Sequence, residues 1–299
     1  METNLNNIPT NKIKKISKET VSLFFGHLIL FLLAIIWLIP IIWMLLTAFR
    51  EEYVSGVFQG SVSASFYPKT FGFENFRKLF LETEFPRWFL NTLLVSVFTT
   101  FFSTVIVLMV SYTVSKLRFR MRKPLMNIAM ILGLFPGFMS IIAVYYILKA
   151  MGLTQSLFAL ILCYSAGSGL GFYIAKGFFD IIPTALLESA KIDGANSLQT
   201  FLRVILPLSK PIIIYTVLTS FTGPWMDFIF ARVILGETNS SIHTVSVGLY
   251  LMIHSSQADG TMFSTFVAGC IVVSIPIVTL FLVMQRYYVE GVTSGAVKG

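Results

Sequence analysis

Long apolar intervals separated by short polar ones give this chain its rhythm. Nearly uncharged apolar runs occupy residues 21–49, 89–115, 125–148, 156–175, 211–235 and 263–284. An α-helix rises about 1.5 Å per residue, so roughly 20 apolar residues cross the hydrocarbon of a bilayer, and each run reaches that length. The pattern predicts an all-α, polytopic membrane protein with six transmembrane helices. The segments of about ten alternating apolar and polar residues that a transmembrane barrel needs do not occur. Composition agrees: 56% of residues are hydrophobic and 12% are charged, against about a quarter charged in soluble domains. Mean hydropathy is +0.80.

The first run is too long for a signal-peptide core and lacks a small-residue cleavage site. It reads as an uncleaved anchor behind a polar tail, residues 1–20. Pro136-Gly137 predicts a kink in the third span, and Pro276 a bend in the sixth. The fourth carries Ala166, Gly167, Ser168, Gly169 and Gly171, small residues that fit a close packing seam or a locally unwound segment. In the fifth, Gly223-Pro224-Trp225-Met226-Asp227 puts a carboxylate at membrane depth, which costs about 2.5–3.5 kcal/mol on insertion scales. Two readings stand for Asp227. Either it lines an internal pathway beyond a helix broken at Gly223-Pro224, or it reaches the interface or a local partner.

Charge sorts the polar intervals. Lys12, Lys14, Lys15 and Lys18 precede the first span, and Lys116, Arg118, Arg120, Arg122 and Lys123 follow the second. Lys176, Lys191, Arg203 and Lys210 lie between the fourth and fifth, and Arg286 and Lys298 follow the sixth. Fifteen of the 22 basic residues thus fall on one side of the membrane, whereas residues 149–155 hold Lys149 alone and residues 236–262 hold none. Residues 50–88 balance five basic against five acidic residues, as an external loop permits. The asymmetry is the positive-inside pattern, and it places both termini and the 176–210 loop in the cytoplasm. The cluster from Lys116 to Lys123 abuts a span, so it reads as a topology signal and not as a nucleic-acid surface.

Residues 183–211 are the longest polar-punctuated interval of the C-terminal half. Pro183-Thr184 opens a short helix on which Leu186, Leu187 and Ala190 form an apolar stripe. Asp193-Gly194 breaks it, because glycine accepts positive φ. Asn196 or Ser197 caps a second helix bearing Leu198, Phe201, Leu202 and Ile205 at helical spacing, and Leu206-Pro207 stops it. The interval reads as a helix–turn–helix on the membrane surface, not as another span.

This order of residues resembles the EAA loop of ABC importer permeases, E-A-A-x3-G-x9-I-x-L-P. Glu188-Ser189-Ala190, Gly194, Val204 and Leu206-Pro207 stand at its positions, with serine for the first alanine and valine for isoleucine. Asp193-Gly194-Ala195 matches the family's D-G-A. Phe73-Glu74-Asn75-Phe76 resembles its motif before the second span, and Trp225-Met226-Asp227 resembles a W-N-D-F stretch of its sugar permeases, with Met226 in place of asparagine. Gln285-Arg286-Tyr287 through Gly299 is similar to the C-terminus of the maltose-type permease, the smaller of that system's two membrane subunits.

The resemblance implies a type I ABC importer permease fold. It makes the first short helix, opened at Pro183-Thr184 within a coupling loop of residues 176–210, a coupling helix seated in a cleft of a cytoplasmic ATPase, with Leu186, Leu187 and Ala190 filling the cleft and Glu188 pairing with a basic residue there. The tail, residues 286–299, would reach the ATPase interface through Gly295, Val297, Lys298 and Gly299, and residues 236–262 would reach an external binding protein. Implied partners are a second, homologous permease, two cytoplasmic ABC ATPases that hold ATP and Mg, a sugar-binding lipoprotein, and the lipid of a bacterial cytoplasmic membrane. No cofactor is implied on this chain. The implied cargo is maltose, maltodextrin or a related oligosaccharide, with a polyol or glycerol phosphate as the alternative. A phosphate calls for a cation in the pathway, and Arg232 is the intramembrane candidate.

Trp225, Asp227 and Tyr215 are the pathway candidates, since the C–H face of a pyranose stacks on aromatic rings. Tyr112, Tyr145, Tyr146 and Tyr173 share that chemistry. No G-x-x-x-x-G-K-[ST] phosphate loop and no catalytic constellation occurs. Cys163 and Cys270 lie within spans as packing residues, and His27, His243 and His254 lack ligand spacing, so no metal site is expected. An ion-coupled carrier or a membrane-embedded enzyme is the reading from a different class. Carriers of that kind usually show several intramembrane carboxylates or inverted repeats, where this chain offers Asp227.

Overall fold

The computed structural model describes residues 10–54, 57–58, 65–134, 137–167, 171–254 and 262–296. The first helix, α1 (Thr10–Ala48), is continuous, so residues 10–20 are helical ahead of the apolar stretch at 22–48. Its apolar side chains from Leu23 to Ile42 are exposed, Trp37 at 75%, and α1 packs chiefly on the last helix, α14 (Phe263–Ala296), with Ala48 entering the core at its end. That face is the surface left for lipid or a partner. At the end of α1, buried Asn75 donates from Nδ2 to the carbonyls of Ala48 at 3.0 Å and Arg50 at 2.8 Å. This asparagine of the Phe73–Phe76 motif fastens α2 (Glu74–Leu81) to the end of the first span. A short hairpin, β1 (Tyr53–Val54) with β2 (Val57–Phe58), lies in the same loop.

The hub is α3 (Phe85–Lys116). Thr92, Ser96, Thr99, Ser103, Ser111 and Ser115 recur on it at helical spacing and are all buried. Small hydroxyl side chains let neighbouring helices approach closely in a membrane. Packed on α3 are α6 (Leu157–Gly167), α7 (Gly171–Asp180) and α11 (Lys210–Met226). The seam with α7 uses Gly171, Phe172 and Ala175, and Ser111 Oγ donates to the Phe172 carbonyl at 3.0 Å. Ser168 and Gly169 lie outside the described residues.

Among the described residues, four helical stretches are long and apolar enough to cross a membrane: 22–48, Phe85–Lys116, Leu157–Asp180 and Phe263–Gln285. The other two expected spans are broken. Residues 125–148 fall in α4 (Arg122–Gly133) and α5 (Gly137–Ala150), with Pro136 outside the described residues. Residues 211–235 divide into α11 and α12 (Ile229–Leu235), parted at Asp227 and Phe228. Pro224 lacks the N–H that would continue the ladder.

Residues 236–262 hold more structure than a free external loop. A 3-10 turn at Ser240–Ile242 leads into α13 (Val245–His254), which buries Val245, Val247 and Leu249 against α3 and α14. The Phe85 end of α3 holds this segment by its backbone. Trp88 Nε1 donates to the Ser240 carbonyl at 2.9 Å, and Asn91 Nδ2 to those of Ser241 at 2.9 Å and His243 at 3.0 Å. The Val245 N–H donates to Thr92 Oγ1 at 2.8 Å. A Cβ on Gly248 would lie 2.2 Å from the Trp88 ring, so only glycine fits. Residues 255–261 lie outside the described residues. The expected tail likewise continues α14 as helix through Ala296, taking in Gly295, while Val297, Lys298 and Gly299 lie outside the described residues.

Candidate functional site

Two regions carry the candidate residues: the segment after α7, and a cavity beside α3 and α11.

The segment after α7 is fastened before it begins. Ser115 Oγ donates to Asp180 Oδ1 at 2.6 Å, Lys176 pairs with the other carboxylate oxygen, and Lys116 Nζ donates to the Ile182 carbonyl at 2.7 Å. Pro183 is the N-cap of α8 (Thr184–Ile192), one residue earlier than the expected first-turn position. Within α8, Leu186 is 41% exposed and Glu188 and Ser189 face outward, while Ala190 is half-buried. Leu187 does otherwise. At 8% exposure it packs into the chain's own core with Leu108, Phe179, Phe201 and Ile205, so it anchors α8 and cannot fill a partner's cleft.

Asp193 ends α8, and Gly194 follows at φ +80, with nothing near its would-be Cβ. The Ala195 N–H closes the turn on the Ala190 carbonyl at 2.9 Å. Asn196 then caps α9 (Ser197–Thr200) in a capping box with Gln199. Tyr112 Oη donates to the Ser197 carbonyl at 3.1 Å, and its ring lies 4.9 Å from that of Phe201. The helix widens to a π-turn over Phe201–Ile205 and runs on through α10 (Leu206–Leu208). Leu206-Pro207 therefore does not stop it. Pro207 only removes the donor that the Arg203 carbonyl would have met, where the backbone has already widened. The turn comes at buried Ser209, where the axis bends by 84° into α11.

No motif in the sequence marks Asp180 or the bonds of Tyr112, Ser115 and Lys116. The i,i+4 spacing of Lys176 and Asp180 was the one available signal.

The cavity measures about 870 Å³ and is lined by α3, α5, α6, α7 and α11. Tyr215 and Asp227 both line it. Tyr164 Oη donates to Asp227 Oδ2 at 2.5 Å, and the same carboxylate accepts the Phe230 and Ala231 N–H groups, each at 3.2 Å. Asp227 thus caps α12 and faces the cavity at once. Its carbonyl accepts Ser246 Oγ at 2.5 Å, tying the break to α13.

Trp225 does not line this cavity. At 3% exposure it packs edge-on to Phe89 at 5.2 Å and against Phe221 at 6.0 Å, beside a smaller cavity of about 340 Å³. Arg232 is also elsewhere. It pairs with Glu237 and stacks on Phe228 at 5.6 Å and Tyr250 at 5.0 Å. Tyr112 and Tyr173 spend their hydroxyls on backbone carbonyls, and Tyr145 and Tyr146 are not in the cavity lining. Cys163 borders the larger cavity and Cys270 the smaller, both unbonded. Among the described residues no cluster of His, Cys, Asp or Glu has the arrangement of a metal site.

Residues 108–294 match the family described as binding-protein-dependent transport system inner membrane component. The galactooligosaccharides transport system permease protein GanQ of Bacillus subtilis is 36% identical over 80% of this chain and 84% of its own length. The maltodextrin transport system permease protein MalD of Streptococcus pneumoniae is 32% identical over 97% of this chain and 99% of its own. A solved bacterial ABC transporter, involved in the import of the acidic polysaccharide alginate, superposes with a TM-score of 0.76. It shares 20% identity over 95% of this chain and all of that one. This chain is a member of the binding-protein-dependent transport system inner membrane component family, a multi-pass membrane protein with the fold of an ABC importer permease.

Proposed function

We propose that this chain is one of two permease subunits of an ATP-driven sugar importer, and that α8 is its coupling helix. ATP and Mg sit on two partner ATPases in the cytoplasm, where both termini of this chain also lie. A second permease completes the pathway, and an external binding protein delivers the sugar. The relatives named above support an oligosaccharide cargo, of the galactooligosaccharide or maltodextrin kind.

The observation that carries the coupling role is the way α8 is split. One side, through Leu187, is rooted in the core under α3, and the other offers Leu186, Glu188 and Ser189 outward. A push on the outer side therefore reaches α3 and α11 as a push on a packed body, not on a free loop. Leu186 and Ala190 supply the apolar contact and Glu188 a charge for a basic residue of the ATPase. Gly295, Val297, Lys298 and Gly299 remain the candidate second contact. Residues 240–254 are the candidate docking surface for the binding protein. Glycerol phosphate is the poorer cargo, because Arg232 is already paired with Glu237 and stands outside the cavity.

Two measurements test this reading. Affinity purification of the tagged chain from native membranes recovers an ABC ATPase, a second permease and a sugar-binding protein. Recovery of this chain alone, as a homo-oligomer, would instead favour an ion-coupled carrier. In the reconstituted complex, Gly194→Pro forbids the positive φ, and Glu188→Lys inverts the offered charge. Both abolish coupled sugar uptake while membrane insertion persists, and normal uptake by both refutes the coupling role.

A further inference from the structure

We propose that the cavity beside α11 is a solute subsite belonging to this chain, one that accepts an uncharged pyranose unit and rejects anionic saccharides. The proposal rests on the sugar-importer reading above and adds where this subunit meets the cargo and which charge it admits.

At about 870 Å³ the cavity falls within the range of roughly 300–1,000 Å³ that small-molecule sites occupy. It lies beside the middle of α3, well inside the membrane-spanning part of the chain. Its α11 wall carries Tyr215, Thr219 and Gly223 at four-residue spacing, with Ser220 alongside and Asp227 just past the helix end. Tyr215 and Ser220 are half-buried, and their hydroxyls make no hydrogen bond among the described residues. Behind them Thr99 and Ser103 border the same space at 2% and 0% exposure, and their hydroxyls also lack a partner among the described residues. A buried hydroxyl left unpaired costs about 1–3 kcal/mol. Two such buried hydroxyls and the two half-buried ones converge on one cavity and make a wall that a polyhydroxylated solute satisfies and a hydrocarbon does not.

Charge narrows the class. No Lys, Arg or His borders the cavity among the described residues, and the Asp227 carboxyl is its one acidic group. Three donors already meet Asp227, which leaves acceptor capacity for a sugar hydroxyl. A uronate or phosphate entering this space finds no counter-charge to offset its lost hydration. A neutral sugar pays no such penalty.

The test uses the complete importer, with partner permease, ATPases and binding protein, in proteoliposomes. Uptake of maltotriose, galactotriose or trehalose by the wild type checks the reading underneath. The double variant Tyr215→Phe/Ser220→Ala removes two hydroxyls with little change of shape. It lowers the maximal uptake rate about tenfold, the size of one net hydrogen bond, while assembly with the ATPases is unchanged.

For the site itself, the Thr219→Cys variant, made in a Cys163→Ser background because Cys163 borders the same cavity, is alkylated with N-ethylmaleimide, and native Cys270 in the other cavity serves as the internal reference. The sugar that the wild type transports suppresses labelling at position 219 and not at Cys270, and trigalacturonate at equal concentration suppresses neither. Intact uptake without protection at position 219 overturns the subsite. Equal protection by trigalacturonate overturns the charge selectivity. Failure of the wild type to take up any of the three sugars overturns the sugar reading and this proposal with it.

Discussion

The two ends of α3 differ from its middle. At the Phe85 end, Trp88, Asn91 and Thr92 bond to the backbone of residues 240–245, and at the Lys116 end Tyr112, Ser115 and Lys116 bond to residues 180–197. Between them, the hydroxyls of Ser96, Thr99, Ser103 and Thr104 are buried with no partner among the described residues. Polar side chains at the ends therefore fix irregular backbone, each bond spanning sixty or more residues of sequence. Those in the middle keep the contact surface small without pinning it. A helix built this way holds a loop firmly at each end and leaves its central face able to shift against α6, α7 and α11.

Substitutions at the ends and in the middle break or sharpen this contrast. Gly248→Leu drives a side chain into the Trp88 ring, which is itself held by Ser240. It costs at least about 3 kcal/mol and is read as loss of folded protein in a detergent thermal-shift assay. Asn91→Ala strips the donor from two carbonyls at the Phe85 end and costs about 1–3 kcal/mol in the same assay.

Next comes pH. Burial pushes the His243 imidazole below its ordinary 6.5, so the folded chain binds a proton less readily than the unfolded one. Stability from this group is full above about pH 6.5 and falls as pH drops below it toward the lower folded value. His243→Gln flattens that slope between pH 7 and 5. The smallest effect is in the middle. Thr99→Val and Ser103→Ala leave stability within about 1 kcal/mol of wild type or raise it, because neither removes a bond. A loss as large as that of Asn91→Ala would show that the central hydroxyls are fasteners after all.

The local devices of the fold were readable in advance. Gly194 at positive φ and the Asn196 cap follow from backbone chemistry confined to a few residues, and so did the helix–turn–helix around them. What escaped depends on distance. Leu186 and Leu187 look alike in sequence, and which of them turns inward is decided by where Phe179 and Phe201 stand. The capping role of Asp227 concerns Phe230 and Ala231 nearby, yet its place on the cavity wall is fixed by Tyr164, 63 residues away. Trp225 carried a motif resemblance, but its ring packs on Phe89 and Phe221 and borders the smaller cavity, not the one that Tyr215 and Asp227 line. The interval 236–262, without Lys or Arg, reads as an external loop, and the burial of α13 within it comes from Trp88 and Leu79 on other elements. The Ser/Thr row on α3 was visible at helical spacing. It drew no notice because such residues in a membrane helix bond back to their own carbonyls as readily as they face a site.

The 84° corner at Ser209 has a mechanical meaning. Ser209 is buried and bonded through Oγ to the Ile205 carbonyl at 2.6 Å, which ties the corner to the arm before it. On the coupling role proposed for α8, two arms meeting near a right angle act as a bell crank. A sideways thrust on the arm that follows α8 would emerge along the other arm turned through a quarter circle, as a tilt of the helix carrying Tyr215 and Thr219.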